Sequence, residues 1–282
     1  MPDCKRRSFL ALMAASAVPL SARKLRTVGV QLYTLRTVLP KEPLETLRAL
    51  EKIGYREVEA TQDNLDRIWP ALKQTSLRAV SIHMATNLFT KEQAKLPAAL
   101  DVAKKHGFEY VVCPYIEPKD RGGIDVMRRL GDNLNKAGEL CRKAGLHLCY
   151  HNHAFEFAPA ERRTLLDVLM EAADPKLVSL ELDIMWSRVA GVDPTSVLLR
   201  FGSRIPLVHL KNVAPGFGRR FNEDLPPKAF RDLGHGVIDL VPVLKAAAQV
   251  GVKHYFVEQD ETPGNPVDSL RASYEHLQKL DF

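Results

Sequence analysis

Four short junctions constrain the fold of this chain more than any other feature. Lys52-Ile53-Gly54-Tyr55, Lys105-His106-Gly107-Phe108, Lys143-Ala144-Gly145-Leu146 and Gln249-Val250-Gly251-Val252 each close an amphipathic stretch and open a short apolar or β-branched run. A glycine at such a place ends a helix in a positive-φ conformation and turns the chain into a strand. Strand, crossover helix and parallel strand make a right-handed unit. The alternation of patterns predicts strands near Thr27–Tyr33, Glu57–Ala60, Ala79–His83, Tyr110–Pro114, Leu146–His151, Val178–Asp183, Leu207–Leu210 and His254–Glu258. Helical stretches fall between them, among them Leu44–Ile53, Gln93–His106, Ile124–Ala144, Thr164–Ala172 and Leu240–Val250. Eight such units close into a single (β/α)8 TIM barrel, and 282 residues are enough for one. The competing α/β arrangement, an open doubly wound sheet, needs a glycine-rich phosphate loop after its first strand. Here that strand runs into Thr34-Leu35-Arg36, and no GxGxxG is present.

Composition excludes several other classes. With 45% hydrophobic and 26% charged residues the chain can build a large core and does not read as disordered. No uncharged apolar run reaches the roughly 18 residues that a membrane-spanning helix requires. Four cysteines without a CxxC pair exclude a disulfide scaffold and zinc ribbons. The formal charge is +6, of which two units lie within residues 1–22; the remaining four are scattered and do not form a nucleic-acid footprint.

The first 22 residues read as an address. Lys5, Arg6 and Arg7 precede an apolar stretch from Phe9 to Val18, then small residues, which is the n-region and h-region pattern of an export signal. Arg6-Arg7-Ser8-Phe9-Leu10 resembles the twin-arginine signal, with Ala17 or Ala22 as cleavage points. The expected organisation is therefore a twin-arginine export signal over 1–22 and a barrel over 23–282. The expected location is periplasmic or exported in a bacterium, with the twin-arginine machinery as partner of the precursor. Cys4 precedes the apolar stretch, so it is not placed as a lipoprotein cysteine. The remaining Cys113, Cys141 and Cys149 are odd in number and imply no obligatory disulfide set.

Charged residues inside barrel strands are costly unless they are paired or bind metal. Yet Glu59, His83, His151, His153, Asp183, His209 and Glu258 all fall at the carboxyl ends of predicted strands, the end at which barrel active sites form. Seven independent accidents are a poor explanation, and a shared site is the reading adopted. Asp, His and Glu without a thiolate suit a divalent metal: Mn²⁺, Mg²⁺, Co²⁺ or Zn²⁺. HExxH, Walker, EF-hand and GxSxG patterns are absent, and Cys113 has no triad spacing that would make it a nucleophile.

At these residues the chain resembles the sugar phosphate isomerase/epimerase family of xylose isomerase-like barrels. The resemblance is carried by Gly29-Val30-Gln31-Leu32-Tyr33-Thr34-Leu35-Arg36, Tyr150-His151-Asn152-His153-Ala154-Phe155-Glu156-Phe157 and Glu181-Leu182-Asp183. Further along it continues in His209-Leu210-Lys211-Asn212, Gly234-His235-Gly236-Val237-Ile238-Asp239 and Val257-Glu258-Gln259-Asp260. It implies a divalent metal held by Glu, Asp, His and Glu at the ends of strands five to eight. Asp183, His209 and Glu258 match the last three; Glu156 is the nearby acid for the first, with His151 as the substitute. Asn212 and His235 stand where many relatives have Asp and Glu, which bears on the substrate.

The resemblance and the site residues together lead to an isomerase or epimerase acting on a sugar or keto-sugar through an enediolate. A metal chelated by a carbonyl and its neighbouring hydroxyl acidifies the adjacent C–H. Glu258 and Glu156 are the expected acid–base pair, His151 and His153 the shuttles of hydroxyl protons, and Lys211 the stabiliser of enediolate charge. Glu59, His83 and Trp186 are expected to bind substrate, with Phe155 a second aromatic for a sugar face. A lyase or dehydratase on a keto-sugar or inosose runs through the same enolate and is the alternative. A DNA-repair endonuclease of the same superfamily and an inactive sugar-binding barrel rank below. Arg36, Arg188, Arg219 and Arg220 are candidates for a phosphate at the mouth, although an exported enzyme meets few sugar phosphates. The expected partner is a small carbohydrate, with neither nucleic acid nor a stable membrane anchor; a homo-oligomer stays open.

Overall fold

The computed structural model describes residues 23–282; the expected export segment, residues 1–22, lies outside the described residues. Eight parallel strands close on themselves: β1 (Gly29–Gln31), β2 (Glu57–Thr61), β3 (Arg78–His83), β4 (Tyr110–Cys113), β5 (His147–His151), β6 (Val178–Asp183), β7 (Leu207–Leu210) and β8 (His254–Val257). Each pairs with the next, and β8 returns to β1 through Gly29 opposite Phe256 and Val30 opposite Val257. This is the (β/α)8 barrel that the junctions predicted.

The helices lie outside the barrel: α1 (Pro43–Ile53), α2 (Leu65–Leu72), α3 (Leu96–Lys105), α4 (Ile124–Ala144), α5 (Leu165–Ala172), α6 (Ile184–Val189), α7 (Pro194–Phe201), α8 (Leu240–Val250) and α9 (Pro266–Lys279). The glycine junctions behave as read. Gly145 and Gly251 cap α4 and α8 at φ 77° and 87°, in the left-handed region where a side chain is disfavoured. Gly54 and Gly107 also hold positive φ. Boundaries differ by a few residues. β1 stops at Gln31 because the Gln31 side chain accepts a hydrogen bond from the Tyr33 N–H and starts a 3-10 turn over Leu32–Leu35. α3 begins at Leu96, with Gln93–Lys95 forming a separate 3-10 turn before it.

One residue in two of each strand faces the barrel axis, and that alternation sorts the chemistry. At the amino-terminal end a small plug of Val80, Tyr110, Val112, Cys149, Leu207 and Phe256 forms an apolar cluster separate from the main core. Two residues further along the same strands come His151, His209 and Glu258. On β3 the count is three, from Val80 to His83. The pairing slips by one residue opposite Val58 and Glu59, leaving Val80 without a partner, and the slip returns His83 to the interior side. The main core fills the space between strands and helices, and all three described cysteines are buried and free. No helix among the described residues is long and apolar enough to cross a membrane.

Candidate metal centre and active site

The site begins with Asp183, the last residue of β6. Its Oδ1 accepts hydrogen bonds from the backbone N–H groups of Met185 and Trp186 at 2.8 and 2.9 Å, so the residue ends the strand and caps α6 at once. Asn152, from the segment after β5, brackets it: the Asp183 N–H donates to Asn152 Oδ1 at 3.1 Å and Asn152 Nδ2 donates to the Asp183 carbonyl at 3.3 Å. One carboxylate oxygen is thereby tied to backbone. The other, Oδ2, is fully buried and makes no hydrogen bond.

His151 supplies the matching nitrogen. Its Nδ1 lies 3.1 Å from the Pro114 carbonyl, which can only accept, so the ring proton is assigned to Nδ1. The Nε2 lone pair then points inward, 3.6 Å from Asp183 Oδ2, and it too is buried without a hydrogen bond. His209 on β7 and Glu258 just after β8 complete the group, with His209 Nδ1 at 2.8 Å from Glu258 Oε2. One ligand atom from each of His151, Asp183, His209 and Glu258 falls within 4.8 Å of the others, and all four residues are buried. Two buried donors without hydrogen bonds, one of them facing the Lys211 ammonium, beside two more in a mixed nitrogen and oxygen set fit a divalent cation.

Lys211 closes this floor. Its Nζ sits 3.2 Å from Asp183 Oδ2, 3.1 Å from Glu258 Oε2 and 2.7 Å from Asp260 Oδ1. Burial opposes the charge, but these carboxylates outweigh it and hold the ammonium well above its ordinary range. Asp260 is pushed up to about 6, chiefly by burial, against the pull of Lys211. Burial, with the neighbouring His151 and Lys211, holds His153 well below the usual imidazole range.

Of the residues expected from sequence, His151, Asp183, His209, Glu258 and Lys211 meet at one place, and His153 and Trp186 line the cavity above them. His83 lines the cavity too, and Glu59 lies beneath it: His83 Nε2 is 3.0 Å from Glu59 Oε1, and Glu59 Oε1 is 2.6 Å from His209 Nε2. The structure does not bring Glu156 to the metal group. Its Oε1 lies 2.7 Å from the Tyr150 hydroxyl and its Oε2 accepts from the His153 N–H at 2.9 Å. His151, the substitute, takes the fourth place, because it ends β5 facing inward whereas Glu156 lies in the 3-10 turn Phe155–Phe157 beyond the strand. Phe155 does not line the cavity either; the Arg121 guanidinium covers its ring at 4.0 Å.

Two residues escaped the sequence reading: Glu181, whose carboxylate lies 2.9 Å from His83 Nε2, and Asp260. Both stand two residues from a residue already chosen, Asp183 and Glu258, so the two-residue strand period held the signal. The four arginines expected at the mouth do not line its cavity. Arg36 pairs with Glu261 at 2.7 Å, Arg219 lies over the Phe221 ring, and Arg220 bonds the Asp224 carbonyl.

The cavity above the floor holds about 940 Å³, within the roughly 300–1,000 Å³ of small-molecule sites. Its walls include Tyr33, Tyr115, Trp186, Phe230, Leu88 and Leu225. Aromatic walls over a polar, charged floor suit a ligand with apolar ring faces and a hydroxylated edge.

A family model described as xylose isomerase-like TIM barrel matches residues 47–280. An inosose dehydratase from Geobacillus kaustophilus is 31% identical over 161 residues, which cover 54% of this chain and 52% of the relative. The chain thus spans about half the length of that curated relative. A sugar phosphate isomerase/epimerase structure from Parabacteroides distasonis superposes with a TM-score of 0.74 at 20% identity, covering 91% of this chain and 99% of the other. The 3-keto-D-glucoside 4-epimerase from E. coli superposes with a TM-score of 0.66 at 16% identity, covering 91% and 100%.

Proposed function

The chain belongs to the xylose isomerase-like TIM barrel family, and on that premise we propose that it is a divalent-metal-dependent enzyme that removes the proton beside the carbonyl of a keto-sugar or inosose. One observation carries the reading. Two buried, unbonded donors, His151 Nε2 and Asp183 Oδ2, meet His209, Glu258 and Lys211 on the floor of a sugar-sized cavity. His151, Asp183, His209 and Glu258 would hold the ion, which when bound polarises a carbonyl and its neighbouring hydroxyl and acidifies the C–H between them.

The rest of the chemistry belongs to the side chains. Glu258, one of the expected acid–base pair, would be engaged in holding the ion, and Glu156, the other, is turned to Tyr150; His153, which burial keeps neutral, is the remaining group that can accept a proton. Lys211 keeps its charge and stabilises negative charge that develops on a substrate oxygen near it. Asp260, poised near 6 and bonded to Lys211, can return a proton. Return to the opposite face or the neighbouring carbon makes an epimerase or isomerase, the first reading. Departure of the hydroxyl on the next carbon, β to the carbonyl, which takes up a proton and leaves as water, makes a dehydratase, which the 31% identity to an inosose dehydratase favours as the second. Among the described residues no arginine lines the cavity, which favours unphosphorylated substrates.

The test is a panel of keto-sugars, 3-keto-glycosides and inososes incubated with Mn²⁺ in D₂O. Deuterium on the carbon beside the carbonyl is expected, and loss of water by mass spectrometry separates the second reading from the first. Turnover without solvent exchange would instead mean hydride transfer and would overturn the proton-transfer roles.

A further inference from the structure

Beneath the metal group lies a second set of donors that shares only His209 with it. His83 Nε2, Glu59, His209 Nε2 and Glu181 close a circuit in which nitrogen and oxygen alternate. Its edges are 3.0 Å from His83 to Glu59 Oε1, 2.6 Å on to His209, 3.4 Å to Glu181 Oε1, and 2.9 Å from Glu181 Oε2 back to His83. The side chains of Glu59, Glu181 and His209 are wholly buried and that of His83 is 12% exposed. Glu181 Oε1 faces His209 Nε2 yet makes no hydrogen bond, and Glu59 Oε2 is likewise buried and unbonded. Gln31 Nε2 donates to Glu59 Oε1 at 2.7 Å and leaves both of those oxygens untouched.

Charge points the same way. The barrel axis and the floor above it hold five carboxylates, Glu59, Glu181, Asp183, Glu258 and Asp260, against one permanently charged base, Lys211. Two of the five, Glu59 and Glu181, lie in the deeper circuit, so a divalent ion there would meet two carboxylates. Donors bound tetrahedrally at 2.0–2.1 Å stand about 3.3 Å apart, so a circuit with edges of 2.6–3.4 Å needs only a small opening to enclose an ion.

We propose that Glu59, His83, Glu181 and His209 form a second divalent-cation site on the barrel axis, below the first and suited to a tetrahedral ion such as Zn²⁺ or Co²⁺. His209 faces this site through Nε2 and the upper one through Nδ1. With both filled, its ring bridges the two ions as an imidazolate, and the remaining ring proton leaves to solvent. The deep ion holds the charge balance and the orientation of His209, and of its four ligands only His83 reaches the cavity lining.

The test is metal stoichiometry by plasma mass spectrometry. The full chain is stripped with chelator, loaded with Zn²⁺ or Co²⁺ and desalted. Two ions per chain are expected for the native protein, one for Glu181→Gln and one for Asp183→Asn, each variant losing a different ion. The Co²⁺ absorption spectra of the two variants should differ, and together approximate the native spectrum. Thermal unfolding of the same samples shows that the variants are folded. One ion in the native protein, or a folded Glu181→Gln that still binds two, would overturn the deep site and leave the circuit an imidazolium–carboxylate network. A folded Asp183→Asn that still binds two would instead overturn the upper assignment alone.

Discussion

Two carboxylates of similar depth have opposite roles because their neighbours differ. Burial raises both, but Lys211 and His209 overcome it at Glu258 and hold that acid ionised, well below the usual range. Replacing Glu258 by Gln keeps an oxygen for the ion but removes the charge that faces Lys211 and His209. Turnover is expected to fall by roughly 10–100-fold or more, the scale on which changes around a bound metal tell on activity, with metal content measured on the same sample; near-native turnover at full metal loading would remove Glu258 from the site. Glu156 has no cation beside it, and burial pushes it up to about 8 despite the Tyr150 hydrogen bond. Unfolded, it ionises near 4.5, so between these values the folded chain keeps a proton that the unfolded chain releases. The contribution is intact below about pH 4.5 and is lost as pH rises through 8. Glu156→Gln copies the protonated acid. It should flatten the fall of Tm between pH 5 and 8, and an unchanged slope would exclude Glu156 as its source.

At the scale of elements, the four glycine junctions look alike in sequence but differ in what surrounds them. A Cβ on Gly107, Gly145 or Gly251 would meet no atom within 4 Å, so only the backbone penalty remains. Each Ala variant should cost about 1 kcal/mol. A Cβ on Gly54 would fall 2.3 Å from the Tyr274 ring, which packs on Tyr55 with centroids 5.2 Å apart. Gly54→Ala therefore adds a steric cost of about 1–3 kcal/mol to the same backbone term. Thermal unfolding of the four variants should set Gly54→Ala apart; four equal shifts would mean that Tyr274 gives way freely. The tie between β6 and α6 is of another kind, since Asp183 spends one oxygen on the helix N-terminus and offers the other to the site.

At the scale of the molecule, the closed barrel and its site are built within residues 23–282. We propose that the leading segment directs export through its paired arginines. Replacing Arg6 and Arg7 by Lys should leave the precursor in the cytoplasm, because the translocation machinery reads the pair rather than the charge. Cell fractionation decides it, and normal export of the double variant would refute the address. Were it exported, the barrel would meet few sugar phosphates, in keeping with a cavity that none of Arg36, Arg188, Arg219 and Arg220 lines.

The sequence alone determined the barrel, since helix–glycine–strand junctions and apolar runs are local patterns written by backbone conformation and burial. It also marked His151, Asp183, His209 and Glu258, because polar residues at buried strand ends are costly without a shared purpose. Only the tertiary structure decided which acid belongs with which histidine. Glu156 is five residues from His151 yet turns away to Tyr150, whereas Glu59 reaches His209 across 150 residues. The one-residue slip between β2 and β3, which turns His83 inward, leaves no mark in either strand's own pattern. Register and closure are properties of pairing between distant segments, and they set the distances on which the chemistry depends.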